Sequence, residues 1–207
     1  MTEELEPDVE GWARAHGFVP STDEISGTTP LMRLGELGTT DAAYGGQIDG
    51  RDAWLAEYSI GSPDFTADLG GDGTSSSSMG FTLFVVSVDA SRWPRLTVHP
   101  SHFPDHDFVK RALHIDHRVH TISAEMDGRY RVIAASAIPE AQLAELFTPE
   151  LVEWWLAQSP ELSVDIEDHA KHAGYLSVAH AGFGIGDAGL DQLLGQTVRL
   201  LSAFAPA

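Results

Sequence analysis

The sequence predicts an α+β protein: antiparallel β-sheet with an N-terminal helix, a central helical stretch at 139–158 and a C-terminal helix at 188–204 packed on it. Three observations carry this expectation. Several apolar runs alternate with a period of two and are joined by hairpin-length connections. The helical patterns fall at the ends and in the middle, with no regular strand–helix–strand alternation. A single unit of strand followed by a broken, Trp-rich helix, RYRVIAASAIPEAQLAELFTPELVEWWLAQ, spans 129–158 and has the composition of a core-building element.

Taken in order, residues 6–16 have Val9, Trp12, Ala13 and His16 on one helical face. Gly17 follows as a C′ residue, and Phe18 supplies the apolar contact that accompanies such a cap. Residues 19–42 are irregular, with Leu31, Met32, Leu34 and Leu37 as anchors. Residues 43–48 and 51–60 flank Asp49-Gly50, a pair suited to a type I′ turn, and Trp54, Ala56, Tyr58 and Ile60 share a face. Residues 61–80, rich in Gly, Ser and Asp, are expected to form a flexible loop. Residues 81–88 (FTLFVVSV) are apolar on both faces, as a central strand requires, and Leu96 and Val98 mark another strand.

In the 129–158 unit, Tyr130, Val132 and Ala134 alternate as a strand. Pro139 is placed as a first helical residue, and Thr148-Pro149 as an N-cap followed by Pro at N1. Leu151, Val152, Trp155 and Leu156 then form an apolar stripe. Leu162, Val164 and Ile166 alternate with Ser163, Asp165 and Glu167, which predicts a half-exposed strand. Residues 174–181 form the next, with Leu176 and Val178 inward. Asp187 is the expected N-cap of the last helix, whose apolar face is Leu190, Leu193, Leu194, Val198, Leu201 and Phe204. One domain over 1–207 is expected, with two possible lobes: 1–110, a helix plus β-meander, and 111–207, a strand–helix–hairpin–helix arrangement.

Composition narrows the function classes. A net charge of −19 opposes binding to a phosphate backbone or to an anionic membrane, so neither a nucleic acid nor a membrane is an expected partner. No apolar run approaches the ~20 residues that cross a bilayer. The acidic start, MTEELEPDVE, is unlike a signal peptide. The chain has no cysteine, which removes disulfides, zinc-thiolate sites and thiol nucleophiles and suits a cytoplasmic location.

GWARAHGFVP, GGQIDGRDAWLAEYSI, FTLFVVSVDASRWPRLTVHP and the 129–158 unit follow one another in an order that resembles an uncharacterised bacterial family of α+β proteins, soluble or membrane-tethered. The resemblance covers most of the chain. It implies an N-terminal meander, a strand–helix unit with a Pro-containing helix and a terminal Leu-rich helix. No activity, cofactor or catalytic residue comes with it, and the membrane segments of some members have no counterpart here.

Three motifs suggest chemistry. Gly70-Gly71-Asp72-Gly73-Thr74 is similar to the nucleotide-binding loop of NAD and diacylglycerol kinases, but its flanks make a poor strand and a poor helix start. Residues 184–189, GIGDAG, fit GxGxxG between strand and helix. Only one helix follows, so the second strand of a dinucleotide fold is missing. Between His99 and His120 lie six histidines with Asp105, Asp107 and Asp116, donors that suit a divalent metal. His114, Asp116 and His120 alternate onto one strand face, and His99 or His102 would complete the set. Arg129 and Arg131 are a candidate anion pair on one strand face, or partners for nearby carboxylates. No GxSxG elbow or HExxH motif is present. Two functions therefore compete. One is a non-catalytic regulatory or protein-interaction module, with a protein partner and no cofactor. The other is a divalent-metal-binding protein, or a metal-dependent hydrolase, built on the 99–120 histidines.

Overall fold

The computed structural model describes residues 9–22, 38–61, 78–89, 95–102, 117–134, 137–169, 173–182 and 184–204. Nine strands form a single antiparallel sheet in the order β1-β2-β3-β4-β9-β8-β5-β7-β6. They are β1 (Val19–Pro20), β2 (Gly38–Ile48), β3 (Arg51–Gly61), β4 (Ser78–Val88), β5 (Leu96–Pro100), β6 (His117–Val119), β7 (Tyr130–Ala134), β8 (Leu162–His169) and β9 (Ala173–Ala181). Five helices accompany them among the described residues: α1 (Val9–Ala15), α2 (Ala124–Arg129), α3 (Glu140–Leu146), α4 (Pro149–Leu156) and α5 (Gly186–Phe204). The α+β expectation holds. β5 lies between β8 and β7 and pairs with both, so the sheet joins strands from before and after residue 110.

Local chemistry explains most elements. Asp49 and Gly50 take φ of 51° and 71°, so both central residues of the β2–β3 hairpin are left-handed, as a type I′ turn demands. Gly17 at φ 79° ends α1, and Phe18 donates its N–H to the Ala13 carbonyl. The Phe18 ring packs against Trp12 and Phe84. Trp12 in turn donates from Nε1 to Asp191 of α5 at 2.8 Å, tying the first helix to the last.

One large core fills the space between the sheet and the helices. Strand residues Leu55, Phe84, Val86, Val98, Val132, Val164, Leu176 and Val178 meet Trp12, Met126, Phe147, Trp155, Leu193 and Phe204 there. A second, smaller cluster lies on the opposite face of the sheet: Ala56, Tyr58, Phe81, Leu83, Val85 and Ala179, with Trp54 against it. This is the face that the alternation of β3 predicted.

The 129–158 unit is the anchor its pattern suggested. Trp155 is fully buried and meets the Tyr130 ring edge-on at 5.1 Å between centroids. The Tyr130 hydroxyl reaches the Trp155 and Ser159 carbonyls, so strand and helix are joined by a polar as well as an apolar contact. Thr148 caps α4 through the Leu151 N–H, with Pro149 at N1 as expected.

Three expectations need correction. Pro139 is the residue before α3 rather than its first, with extended ψ of 142°. Asp187 lies in the first turn of α5, which begins at Gly186, so it is not the cap. Over 162–166 the strand is not half-exposed. Ser163 and Asp165 are buried like Leu162 and Val164, because β8 lies in the interior of the sheet, between β9 and β5. Alternating polarity registers side-chain chemistry; it does not register a second covering layer.

Candidate recognition site

The β6–α2 corner is the best-organised polar constellation that also reaches solvent. β6 is an edge strand, and its Val119 enters the core. Arg118 therefore points to the other face, paired in register with Ile133 of β7. The chain then turns through 120–123 into α2, a helix that nothing in the apolar spacing predicts. Ser123 is its N-cap, accepting from the Met126 N–H at 3.2 Å.

Asp127, one turn into α2, holds this connection in place. The Thr121 backbone N–H and hydroxyl both donate to Asp127 Oδ1, each at 2.8 Å. Ser123 N–H donates to the Thr121 hydroxyl oxygen at 3.2 Å, and His120 Nδ1 lies 3.2 Å from Asp127 Oδ2. Burial would raise the Asp127 pKa. The Thr121 hydrogen bonds and the neighbouring His120 outweigh it and hold the carboxyl below its ordinary value. Between Thr121 and Ser123 sits Ile122, with 57% of its surface exposed. Ile122 and Val19 are the exposed large hydrophobic side chains among the described residues, and of the two Ile122 lies in the turn tethered by Asp127.

Basic groups flank this tip. Arg118 is exposed, contacts the Asp127 backbone carbonyl at 3.4 Å and makes no ion pair among the described residues. Arg131 of β7 stands diagonally across from it, two residues from Ile133 on the same face, and is directly opposite His99 of β5. With Arg129 turned to α4, Arg118 and Arg131 balance Glu125 and Asp127, so the corner is neutral in a chain of net charge −19.

The predicted anion pair is taken apart. Arg129 is the last residue of α2, and its guanidinium donates to the carbonyls of Leu156 and, at 2.6 Å, of Gln158, capping the C-terminus of α4. Only Arg131 lies in the strand.

The proposed metal ligands are partly visible. His99 Nδ1 is 3.1 Å from the Pro100 carbonyl, His102 Nε2 is 3.9 Å from Glu161, and His120 engages Asp127. These three face different partners, and no group of three or more metal-binding side chains occurs among the described residues. His114 and Asp116, the other members of the proposed set, lie outside the described residues, as does the GGDGT motif at 70–74. The GIGDAG stretch is a strand-to-helix connection. Gly184 and Gly186 have φ of 60° and 65°, and a Cβ on Gly189 would sit 2.9 Å from the Ile185 side chain.

A further polar group lies inside. Thr97, Asp165 and Ser177 stand opposite one another on β5, β8 and β9, with Ser163 beside them, all on the sheet face away from the helices and all buried. The Ser163 and Ser177 hydroxyls make no hydrogen bond among the described residues.

No family model, curated protein or solved structure matches the chain. No helix among the described residues is long and apolar enough to cross a membrane. What the fold and the corner define is an acidic α+β sheet protein in which, among the described residues, a sheet edge ends in a tethered turn that carries Arg118 and Ile122.

Proposed function

We propose that this protein is a non-catalytic, cytoplasmic recognition module that binds a protein partner through the β6–α2 corner. The observation that carries the reading is the exposed Ile122, fixed in its turn by the Thr121, Ser123 and Asp127 hydrogen bonds. A tethered backbone turn loses little conformational freedom on binding, and burying an isoleucine fully contributes about 1.5–3 kcal/mol. That is the profile of an interface anchor. The absence of cysteine suits the cytoplasm.

A photo-crosslinking amino acid placed at position 122 tests this in cells. A discrete adduct is expected there and not from position 202, an exposed position on α5. Excess wild-type protein should suppress the adduct, and Ile122→Asp should not. Equal labelling from both positions, or suppression by both proteins, overturns the reading.

A further inference from the structure

We propose that His120 is a phosphoryl-acceptor site: Asp127 fixes the ring so that Nε2 is the nucleophile, and Arg118 binds the oxygens of the incoming phosphoryl group. The proposal goes beyond the recognition reading and stands independently of it.

His120 follows β6 directly, with 73% of its side chain exposed, and its Nδ1 lies 3.2 Å from Asp127 Oδ2. An ionised carboxylate only accepts hydrogen bonds, so Nδ1 carries the proton. In the neutral imidazole, Nε2 then keeps its lone pair. The carboxylate is itself held in place. The Thr121 N–H and hydroxyl both donate to Asp127 Oδ1 at 2.8 Å, which leaves Oδ2 for the imidazole. Against burial, these hydrogen bonds and His120 hold the carboxyl below its ordinary value. An imidazole oriented by a carboxylate, which also stabilises the cation that forms, is the arrangement used where histidine attacks or takes a proton. Asp127 is thus the positioning residue and His120 the acceptor.

Arg118 supplies the anion-binding half. It stands two residues before His120, and both side chains reach Asp127: Arg118 Nη2 donates to its backbone carbonyl at 3.4 Å, and His120 meets its carboxylate. Arg118 is exposed and makes no ion pair among the described residues. One long contact leaves most of its planar fork for phosphoryl oxygens. An acyl group would give that fork no anion to bind. Arg129 and Arg131 take no part.

The donor class is a phosphoramidate, and the step balances. The Nε2 lone pair attacks phosphorus. The donor's P–N bond breaks, and its electron pair leaves with the donor nitrogen, which is already protonated and departs as a neutral amine. The product is an N-phosphoryl imidazolium. Its Nδ1 proton stays in the hydrogen bond to Asp127, whose negative charge faces the new positive charge of the ring.

The test treats the full chain with potassium phosphoramidate at neutral pH. Peptide mapping under non-acidic conditions follows each histidine, and phosphorus NMR assigns the ring nitrogen. The net charge of −19 repels the reagent from every histidine, so the readout is a ratio within one chain. His102 is the comparison, with 55% of its side chain exposed and Nε2 3.9 Å from Glu161. His120 should react at Nε2 and at least about tenfold faster than His102, the rate equivalent of one hydrogen bond to a charged group. Arg118→Ser should remove most of that advantage. Asp127→Ala should remove it too and admit the Nδ1 product. Thr121→Ala, which loosens the turn but keeps the carboxylate, should retain the Nε2 product. Equal rates at His120 and His102, an Nδ1 product in the wild type, or an unchanged ratio in Arg118→Ser overturns the proposal. So does a Thr121→Ala protein that behaves like Asp127→Ala, since Asp127 would then act only by shaping the turn. The wild-type ratio and nitrogen assignment decide the matter even where a variant fails to fold. No partner is present, so failure here leaves the crosslink from position 122 to be judged on its own.

Discussion

Asp127 stores the corner's pH dependence. Its folded pKa is depressed, so its contribution to stability is present above the unfolded value, near 3.9, and is lost as pH falls through the lower folded value. Acid unfolding of the wild type should therefore steepen below about pH 4, and Asp127→Asn should flatten that limb by lowering stability at neutral pH, where the charged form contributes. Circular dichroism during acid titration of both proteins checks this; identical limbs would show that the hydrogen bonds from Thr121 and the contact with His120 do not stabilise the charged form. Trp155 makes the opposite kind of contribution. It is fully buried against Tyr130 and Trp154, and Trp155→Ala should cost about 3–5 kcal/mol in urea denaturation. Ser177 sits between them in scale. Its buried hydroxyl makes no hydrogen bond among the described residues, so Ser177→Ala should raise stability by about 1 kcal/mol. A loss of stability would mean that water or a ligand occupies the Ser163–Asp165–Ser177 row in solution.

At the level of elements, the link between α2 and α4 is the least expected feature and the easiest to break. Arg129 closes the Leu156 and Gln158 carbonyls from outside the helix, while Gln158 donates its side-chain amide to the Trp154 carbonyl from within. Arg129→Ala removes charge-assisted hydrogen bonds worth about 1.5–3 kcal/mol. Hydrogen exchange should then speed up in the last turn of α4 more than in α5. If the two helices respond equally, Arg129 acts on global stability and not as a cap. The corner depends on the same geometry, since α2 carries Arg129 at its end and Asp127 in its middle. A variant that loosens α4 should not dislodge Ile122, because the turn is held from its other side by Thr121 and Ser123.

For the whole molecule, chain entropy sets the expectation. The ends of β3 and β4 are direct neighbours in register, Gly61 opposite Ser78. A short Gly-rich turn in place of residues 62–77 therefore closes the hairpin without disturbing any described pair. Shortening a 16-residue connection to about four spans two doublings of loop length, and should raise stability by about 1 kcal/mol. Thermal melts of the shortened chain check this, and a failure to fold would assign the 62–77 segment a role in the core.

Periodicity and turn chemistry determined the elements that are locally encoded: the left-handed Asp49-Gly50 turn, the Gly17 cap with Phe18, the Thr148-Pro149 restart and the fully apolar β4. Each depends on residues near in sequence, whose preferences survive in any tertiary context. The buried row at Thr97, Asp165 and Ser177 was not legible, because it arises only when β5, β8 and β9, drawn from distant segments, stand side by side. Nor was the exposed Ile122, whose apolar chemistry reads as core until the turn around Asp127 turns it outward. Among the candidate metal ligands, the sequence supplied donors, but spacing along a chain does not decide whether side chains converge. The described histidines follow their own neighbours, Pro100, Glu161 and Asp127. What the sequence determined was which segments pair with themselves; what the tertiary structure decided was which distant side chains share an environment, because burial, register and charge proximity are properties of the packed sheet and not of the linear order.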